Sequence, residues 1–456
     1  MILFSAHGVL ASALPEDGRS SSARTSRERS ALDDLERIGF VQRGDEGGEP
    51  AWRWRSKHPA GDRALLGLLA RFDLDLELGL AADETVWIAA AIQRSAAWEE
   101  REAFSGSRLH PADAVRSCLG EFAEFQSWLF RPGDATWRGV GDARAIDPWS
   151  VLGFSNRQRT EPDVWAAYDD IPSGETFSGE IDWSEAICLN DNAPSWVPSQ
   201  LCFGRYAQRA RAAPNNWRND SNGCAAGETV EAARFAALLE LIERDATGIW
   251  WYGRCRRPGL DPARLGQPAL SGAVEARLRR GQTVHLLDLT HDLQVPVVAA
   301  ILFQDDQLRG LGFGCKPSIE AAAASAYLEL CQMELSLALA RQRGGEEDEQ
   351  LLRWVKNITP ASHSYLLPIG RGEMATVPEP TFESVRERLR SMGLRICAID
   401  LQRSDIGVPA VRLFVPGLCH YKPRLGHRRL VEVPQKLGWK IEGLGEADLN
   451  STPLLI

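Results

Sequence analysis

The sequence predicts an α+β fold in which helices pack on mixed or antiparallel β-sheets, and three observations lead to this class. Apolar residues make up 44% and charged residues 25% of the 456 residues, which are the proportions of an ordinary globular protein. From residue 221 onward, strand-like and helix-like stretches alternate. Two kinds of segment also recur along the chain, and this recurrence predicts two structurally related halves that share a sheet system.

The N-terminal part of the chain is the least regular. Residues 16–30 are polar and low in complexity, which predicts an exposed loop or linker. Residues 31–39 predict a helix, and residues 40–43 and 51–55 predict two strands around a turn, an order that suits a small winged-helix-like module. We therefore expect a poorly patterned N-terminal segment at residues 1–105 and the main domain at residues 106–456.

A strand–turn–strand pattern occurs twice in the main domain. In the first copy an apolar run ends at Asp288, turns, and resumes beside Pro296; in the second copy the equivalent residues are Asp400 and Pro409. The offset is 400 − 288 = 112 residues at the Asp and 409 − 296 = 113 at the Pro, so the second copy has one inserted residue. Each copy predicts a hairpin.

Three predicted helices carry a second repeat, a small residue followed four positions later by Glu and three further on by Glu or Gln. The copies are Ser117/Glu121/Glu124, Ala236/Glu240/Glu243 and Ser325/Glu329/Gln332. Residues three apart share a helix face, so each pair presents two oxygen ligands together. Apolar neighbours would desolvate these carboxylates, and Mg²⁺ bridging to phosphate oxygens would relieve both their repulsion and this cost. For a single helix the alternative is a solvated acidic stripe, whereas three matching copies favour a metal site.

Charge and cysteine content restrict the partners and the compartment. The 62 acidic and 52 basic side chains give a net charge of −10, which argues against a nucleic-acid partner. The N-terminus lacks the basic start of a signal peptide, and no 18-residue apolar stretch predicts a membrane span. The nine cysteines form no Cys-x-x-Cys pair, so we expect buried thiols in a reducing cytoplasm, with surface histidines and no zinc site.

The segment at residues 221–227 (Ser-Asn-Gly-Cys-Ala-Ala-Gly), followed by Leu-Leu-Glu-Leu-Ile-Glu-Arg-Asp-Ala at 238–246, resembles the signature of the YcaO family. Further matches are Gly-Phe-Gly at 312–314, Val-Pro-Gly-Leu at 415–418, Pro-Arg-Leu-Gly at 423–426 and Arg-Leu-Val-Glu-Val-Pro at 429–434. The resemblance covers roughly residues 110–450. It implies a composite YcaO-like fold with related halves around an ATP site without a P-loop.

The resemblance also implies roles for residues of the three acidic helices, although it implies no catalytic residue. The residues implied to bind ATP are Ser117, Glu121, Glu240, Arg244 and Gln332. The residues implied to bind Mg²⁺ are Glu121, Glu124, Glu240, Glu243 and Glu329.

Family members use ATP to phosphorylate a backbone amide oxygen of a peptide, after which a neighbouring Cys, Ser or Thr closes an azoline ring. The C-terminal matches look most like the branch that works on ribosomally made peptide natural products, including antibiotics. The resemblance thus implies a cyclodehydratase acting on a precursor peptide with a leader. It also implies a separate E1-like, leader-recognising partner and, for aromatic azole products, a separate FMN dehydrogenase. A thioamide- or amidine-forming YcaO enzyme and a degenerate YcaO scaffold subunit are the alternatives.

Several positions depart from the family pattern. Phe125 and Glu334 stand where Arg is common, and Ala232 stands where a Glu is usually offered to magnesium. Of the Pro-rich tail that is common in azoline-forming members, only Pro453 is present. These departures leave a divergent chemistry or an inactive partner subunit open.

Overall fold

The structure is a computed structural model. It describes residues 2–4, 25–46, 49–82, 84–93, 102–134, 137–162, 169–172, 174, 176–209, 219–372, 378–440 and 445–455. The chain forms two compact units. Unit 1 comprises Met1–Ser127, Ala226–Ala232 and Gln402–Ala410, and unit 2 comprises Trp128–Ala225, Ala233–Leu401 and Val411–Ile456. Unit 1 thus extends past residue 105, and the domain boundary placed there stays a prediction.

Unit 1 is built from a four-stranded sheet, a hairpin and three helices within its described residues. In chain order these are β1 (Ile2–Phe4), α1 (Ser26–Ile38), β2 (Val41–Glu46), β3 (Glu49–Trp54), α2 (Pro59–Arg71), β4 (Leu74–Leu80), β5 (Trp87–Gln93), β6 (Ala103–Arg108) and α3 (Pro111–Trp128). The sheet has the order β1-β4-β5-β6 and is antiparallel, and β2 pairs antiparallel with β3.

The predicted linker at residues 16–30 is wrong in its last part. The Thr25 side chain accepts the Glu28 N–H while the Glu28 carboxylate accepts the Thr25 N–H, and this capping box starts α1 at Ser26. Residues 16–24 lie outside the described residues. A helix followed by two paired strands is present as expected, whereas the winged-helix-like class of this module stays a prediction.

Unit 2 contains two sheets and the remaining helices. In chain order the elements are β7 (Trp137–Gly139), α4 (Pro148–Leu152), α5 (Asn156–Thr160), β8 (Ile181–Cys188), β9 (Pro194–Pro198), α6 (Ser199–Cys202), α7 (Tyr206–Arg209), β10 (Cys224–Ala226), α8 (Val230–Gly253), α9 (Pro268–Arg279), β11 (Thr283–Asp288), β12 (Val297–Gln304), β13 (Gln307–Cys315), α10 (Ile319–Arg343), α11 (Glu346–Asn357), α12 (Phe382–Ser391), β14 (Cys397–Asp400), β15 (Ala410–Phe414) and α13 (Arg429–Lys436). Four elements cross the residue limits of the two units: α3, β10, α8 and β15. One sheet has the order β11-β12-β13, and the other has the order β10-β15-β14-β8-β7, with β9 paired to β8. The predicted α+β class is confirmed.

The strand–turn–strand repeat is present as two antiparallel pairs. Asp288 on β11 lies opposite Val298 on β12, and Asp400 on β14 lies opposite Val411 on β15. The two pairs belong to different sheets because β14 pairs on its other side with β8. The prediction that the copies share one sheet system is therefore wrong.

A longer repeat, not recognised as such from the sequence, underlies both units. The order helix, three antiparallel strands, helix occurs as α2-β4-β5-β6-α3 and again as α9-β11-β12-β13-α10. A Cβ on Gly106 would lie 2.4 Å from the Cys118 backbone nitrogen, and a Cβ on Gly314, 314 − 106 = 208 positions later, would lie 2.7 Å from that of Ala326. Each copy thus needs glycine where the second helix approaches the third strand.

Burial tests several further expectations. Trp250 and Trp251 are fully buried, as expected of core residues, and all nine cysteines are buried thiols. The expectation of surface histidines is wrong for four residues, which are held inside unit 2: His291, His363, His420 and His427. Across the described ranges, no helix is both long and apolar enough to cross a membrane.

Candidate functional site

Two helices of unit 2 bring three carboxylates to one arginine. Arg244 on α8 lies with Nη1 3.2 Å from Glu243 Oε1 and with Nη2 3.8 Å from Glu240 Oε1. Glu329 on α10 is close enough for the charges of Glu243 and Arg244 to shift its pKa. These four side chains are all partly buried, so three carboxylates and one guanidinium share a poorly solvated site with an excess of negative charge.

Desolvation dominates the protonation of this cluster. It raises the pKa of Glu240 to about 7, against the attraction of Arg244 and with the repulsion of Glu243. It raises the pKa of Glu329 to about 7 as well, again with the repulsion of Glu243, while Arg244 and a hydrogen bond from the Phe313 N–H oppose the rise. Positive charge brought to the cluster would stabilise the ionised carboxylates, which is the behaviour of groups in a binding site.

Arg244 keeps unused hydrogen-bonding capacity. Its Nη1 is buried and makes no hydrogen bond within the described part of the chain, although Glu243 is near. Burial alone would lower the pKa of Arg244, but the charges of Glu243, Glu240 and Glu329 raise it, so the guanidinium is always charged. A buried, charged and unsatisfied donor suits an oxygen of a bound phosphate.

The first acidic motif lies on α3 in unit 1. Ser117 and Glu124 are half-buried, and Glu121 is exposed. The backbone N–H of Ser105 on β6 donates to Glu121 Oε2 at 3.2 Å. Nearby protein atoms still desolvate the Glu121 carboxylate enough to raise its pKa to about 7, and the Ser105 hydrogen bond opposes this.

Glu121 and Glu329 are used in the same way by the two copies of the repeat. Each accepts the N–H of a residue 16 positions earlier, Ser105 on β6 or Phe313 on β13. One carboxylate oxygen of each therefore satisfies a strand backbone, and the raised pKa at both positions accompanies this shared arrangement.

The residues of unit 2 fit Mg²⁺ and a phosphate group, although the protein alone forms no metal cage. In the described ranges, no three His, Cys, Asp or Glu side chains converge closely enough to hold a metal ion. Mg²⁺ is usually bound through one or two carboxylates together with water and substrate phosphates, so a full protein cage is not needed. The carboxylates of Glu240 and Glu329, ionised by a bound cation, supply the negative charge, and the unsatisfied Nη1 of Arg244 supplies the positive one. Gln332 lies on α10 one turn after Glu329 and is half-buried.

The residues that depart from the family pattern make contacts of their own in the structure. Glu334 pairs with Arg277 of α9, with Nη2 to Oε2 at 2.8 Å, and Arg277 is only 1% exposed. Phe125 packs on Phe104, with ring centroids 5.2 Å apart. Ala232 is exposed in the first turn of α8. Glu334 is thus an ion-pair partner of a buried arginine, and Phe125 extends the core of unit 1.

The end of the chain lies against the aromatic cluster at the end of α8. Trp251 Nε1 donates to the Thr452 carbonyl at 2.8 Å, and Trp354 Nε1 donates to the Pro453 carbonyl at 2.7 Å. Asn450 is buried and donates through Nδ2 to the Tyr365 hydroxyl at 2.9 Å. These contacts fix residues 450–453 on unit 2.

Sequence reasoning missed a buried charge network next to the acidic cluster. Asp245, which follows Arg244 on α8, has no solvent exposure and accepts from Arg429 Nη2 at 2.6 Å. Arg429 also donates to Asp292 Oδ1 at 2.8 Å. The positive charge of Arg429 and its hydrogen bonds, together with the neighbouring His291, hold the pKa of Asp245 far below its usual range although Asp245 is buried. The available signals were an Asp in an apolar helix and an Arg in a recognised motif. No sequence pattern links these two residues, which are 184 positions apart.

Comparison with known proteins points in one direction. The family model described as YcaO cyclodehydratase, ATP- and Mg²⁺-binding, matches residues 105–419. An uncharacterized protein of Methanothermobacter thermautotrophicus is 29% identical over 339 residues, which are 69% of this chain and 81% of that protein.

Solved structures agree with this match. A heterocyclase in complex with substrate and cofactor is 25% identical with a TM-score of 0.74; the match covers 93% of this chain and 60% of the heterocyclase. A Methanopyrus kandleri YcaO protein bound with AMPPCP and Mg²⁺ is 21% identical with a TM-score of 0.56, over 79% of this chain and 92% of that one, and it shares the fold.

Proposed function

Because this chain belongs to the YcaO family of ATP- and Mg²⁺-binding cyclodehydratases, we propose that it uses ATP to activate backbone amides of a peptide. The observation that carries the proposal is the cluster of Glu240, Glu243 and Glu329 around Arg244, whose buried Nη1 has no hydrogen-bond partner in the described residues. Such a cluster binds a divalent cation and a phosphate together better than it binds either alone.

The residues of the three acidic motifs take the roles that the resemblance implies. In unit 2, Glu240, Glu243 and Glu329 hold Mg²⁺, and Glu240 also binds the nucleotide together with Arg244 and Gln332. Ser117, Glu121 and Glu124 carry the equivalent roles in unit 1. Bound Mg²⁺ would supply positive charge for the transferred phosphoryl group, and Arg244 orients and neutralises the phosphate oxygens from the protein side.

The reaction proposed is cyclodehydration of Cys, Ser or Thr. The amide oxygen bonds to the γ-phosphorus of ATP as ADP leaves, and the side-chain sulfur or oxygen bonds to the amide carbon with loss of its proton. Phosphate then leaves with the former amide oxygen, and the amide nitrogen loses its proton to give an azoline. The amide oxygen becomes a good leaving group only through phosphorylation, so positioning and charge stabilisation are what the protein must supply.

The proposal includes partners. The substrate is a ribosomally made precursor peptide with a leader, and a separate E1-like protein recognises that leader. The chain spans about 60% of the length of the similar heterocyclase. Where the product is an aromatic azole, a separate FMN dehydrogenase oxidises the azoline. The nine cysteines are buried and form no disulfide, and this supports a cytoplasmic setting.

Mass spectrometry of a co-expressed precursor tests this function. The protein, its neighbouring E1-like partner and a neighbouring Cys/Ser/Thr-rich peptide would be expressed together, with Glu240→Gln as the matched inactive control. We expect loss of one water for each modified residue, with the wild-type protein only. Exchange of oxygen for sulfur would identify the thioamide-forming alternative, and an amine gained with loss of water the amidine-forming one. An unchanged peptide, together with no heat on titration with Mg-ATP, would leave the scaffold role.

A further inference from the structure

Helix α8 holds the segment of residues 417–429 through residues that lie C-terminal to the acidic cluster on the helix. Asp245 Oδ1 accepts the Cys419 N–H at 2.7 Å, and the same carboxylate binds Arg429 further along the segment. His291 Nε2 lies 3.1 Å from Asp245 Oδ2, inside the same buried group. One carboxylate of the helix therefore holds both ends of the segment.

Two further residues of α8 hold the middle of the segment. The Tyr252 hydroxyl donates to the Tyr421 carbonyl at 2.7 Å. A Cβ on Gly248 would lie 2.4 Å from the His420 carbonyl oxygen, so the backbone of the segment lies directly on the helix there. Asp245, Gly248 and Tyr252 are three and four positions apart and share one face of α8.

This arrangement brings the Tyr421 ring to Arg244. The guanidinium carbon lies 5.0 Å from the ring centroid, within the range of a cation–π contact. His420 also stacks on the Tyr421 ring, with a centroid distance of 4.7 Å. Arg244 and the anchors of Tyr421 thus belong to the same helix, and both sides of the contact are fixed by it.

Arg244 has an unusual property at this contact. Its Nη1 is 3.2 Å from Glu243 Oε1 but forms no hydrogen bond with it. A free arginine side chain beside two carboxylates would rotate to bond them, because such charge-assisted bonds are strong. With the Tyr421 ring beside the guanidinium, Nη1 stays available for a different acceptor.

We propose that Tyr421 is a positioning residue that orients Arg244 for the phosphate groups of ATP. The inference rests on the proposed function for its ligand, and on the contacts of α8 for its geometry. Tyr421 acts through Arg244 and does not itself touch the nucleotide.

Calorimetric titration of Mg-ATP into single and double variants tests the role. Tyr421→Leu removes the ring and is expected to raise the Kd about fivefold, the equivalent of a partly buried cation–π contact. Tyr421→Phe keeps the ring and is expected to restore affinity to within about twofold. In an Arg244→Gln background, Tyr421→Leu is expected to change nothing further. Equal losses in Tyr421→Phe and Tyr421→Leu, or a full loss in the Arg244→Gln background, would overturn the proposal.

A crystal structure of the Tyr421→Leu protein without nucleotide separates this inference from the proposed function. We expect Arg244 to turn and hydrogen-bond Glu243; an unchanged guanidinium would refute the positioning role. If Arg244 turns but the wild-type protein gives no heat with Mg-ATP, the nucleotide function fails and the positioning role stands. Should Tyr421→Leu not fold, Tyr421→Met keeps apolar volume without a ring face and serves both measurements.

Discussion

The strand–helix pair β6–α3 in unit 1 and its counterpart β13–α10 in unit 2 share their geometry but differ in electrostatic surroundings. In both pairs a glycine lets the helix approach the strand, and a Glu accepts a strand N–H 16 positions earlier. Glu121 owes its raised pKa to desolvation alone, whereas the negative charge of Glu243 adds to the rise at Glu329. The repeat thus fixes the place of a carboxylate, and the neighbouring helix decides its charge environment.

A second difference concerns the helix that precedes the strands. Arg277 on α9 is buried and bonded to Glu334 on α10. With the offset of 334 − 126 = 208 residues that relates α10 to α3, the residue of unit 1 equivalent to Glu334 is Gln126. Unit 2 therefore has an ionised partner for a buried arginine where α3 of unit 1 has an uncharged amide.

The glycine contacts offer the largest expected effect on the comparison. A Cβ at Gly106 or Gly314 would lie 2.4 or 2.3 Å from helix backbone atoms, which cannot move aside as a side chain could. We expect Gly106→Val and Gly314→Val each to lower the free energy of unfolding by about 3 kcal/mol, measured by urea denaturation. Gly120→Ala on α3, where a Cβ meets nothing within 4 Å, is the control and should stabilise by about 0.5–1 kcal/mol. Tolerance of valine at either site would show that the two copies do not share this packing.

Breaking the ion pair is expected to have a somewhat smaller effect. Glu334→Ala leaves Arg277 buried without its carboxylate, and we expect a loss of about 3 kcal/mol at most in thermal and urea unfolding. Arg277→Leu combined with Glu334→Gln, which removes both charges and keeps an apolar side chain at 277, should recover most of this loss. The Kd for Mg-ATP should stay within about twofold in both proteins. A tenfold weaker affinity in Glu334→Ala would instead place Glu334 in the nucleotide site.

The smallest expected effect is a pH dependence of Mg-ATP binding. Glu240 and Glu329 must ionise to bind Mg²⁺, and their pKa values are about 7. The ionised fraction of such a group rises about tenfold between pH 6 and 8, so Mg-ATP affinity should rise about tenfold for each of the two carboxylates. The sign for stability is opposite. These raised pKa values favour the folded protein below the ordinary Glu pKa near 4.5, and that contribution is lost as the pH rises through about 7.

Proton release on binding, measured by calorimetry in buffers of different ionisation enthalpy, checks this prediction. Glu329→Gln should release fewer protons than the wild-type protein at pH 6.5, and Glu121→Gln should do the same if α3 takes its proposed role. Because the terminal phosphate of ATP titrates in the same range, the differences between variants carry the result. An unchanged proton count in Glu329→Gln would contradict ligation through Glu329.

The sequence was sufficient for features whose signal is local or recurs. We could predict that the Glu-x-x-Glu pairs lie on helices α3 and α8, and that turns follow Asp288 and Asp400. These features depend on the periodicity of residues that are close together in the sequence. The pairing of Arg277 with Glu334 could not, because 57 positions separate two surface-type residues and only packing makes one of them buried. The Ser105 contact of Glu121 was equally hidden, since any backbone N–H can serve as the donor.

The neighbouring strands β10 and β15 give the chain a demanding order of assembly. The Leu413 N–H donates to the Gly223 carbonyl at 2.8 Å, so this contact closes a loop of 413 − 223 = 190 residues. At a synthesis rate of roughly 5–20 residues per second, β15 is synthesised on the order of 10–40 seconds after β10. Helix α8, which follows β10 and carries Glu240 and Arg244, is therefore anchored late, and long-range closure of this kind slows folding. The ribosome therefore completes helix α8, with Glu240 and Arg244, long before it synthesises β15.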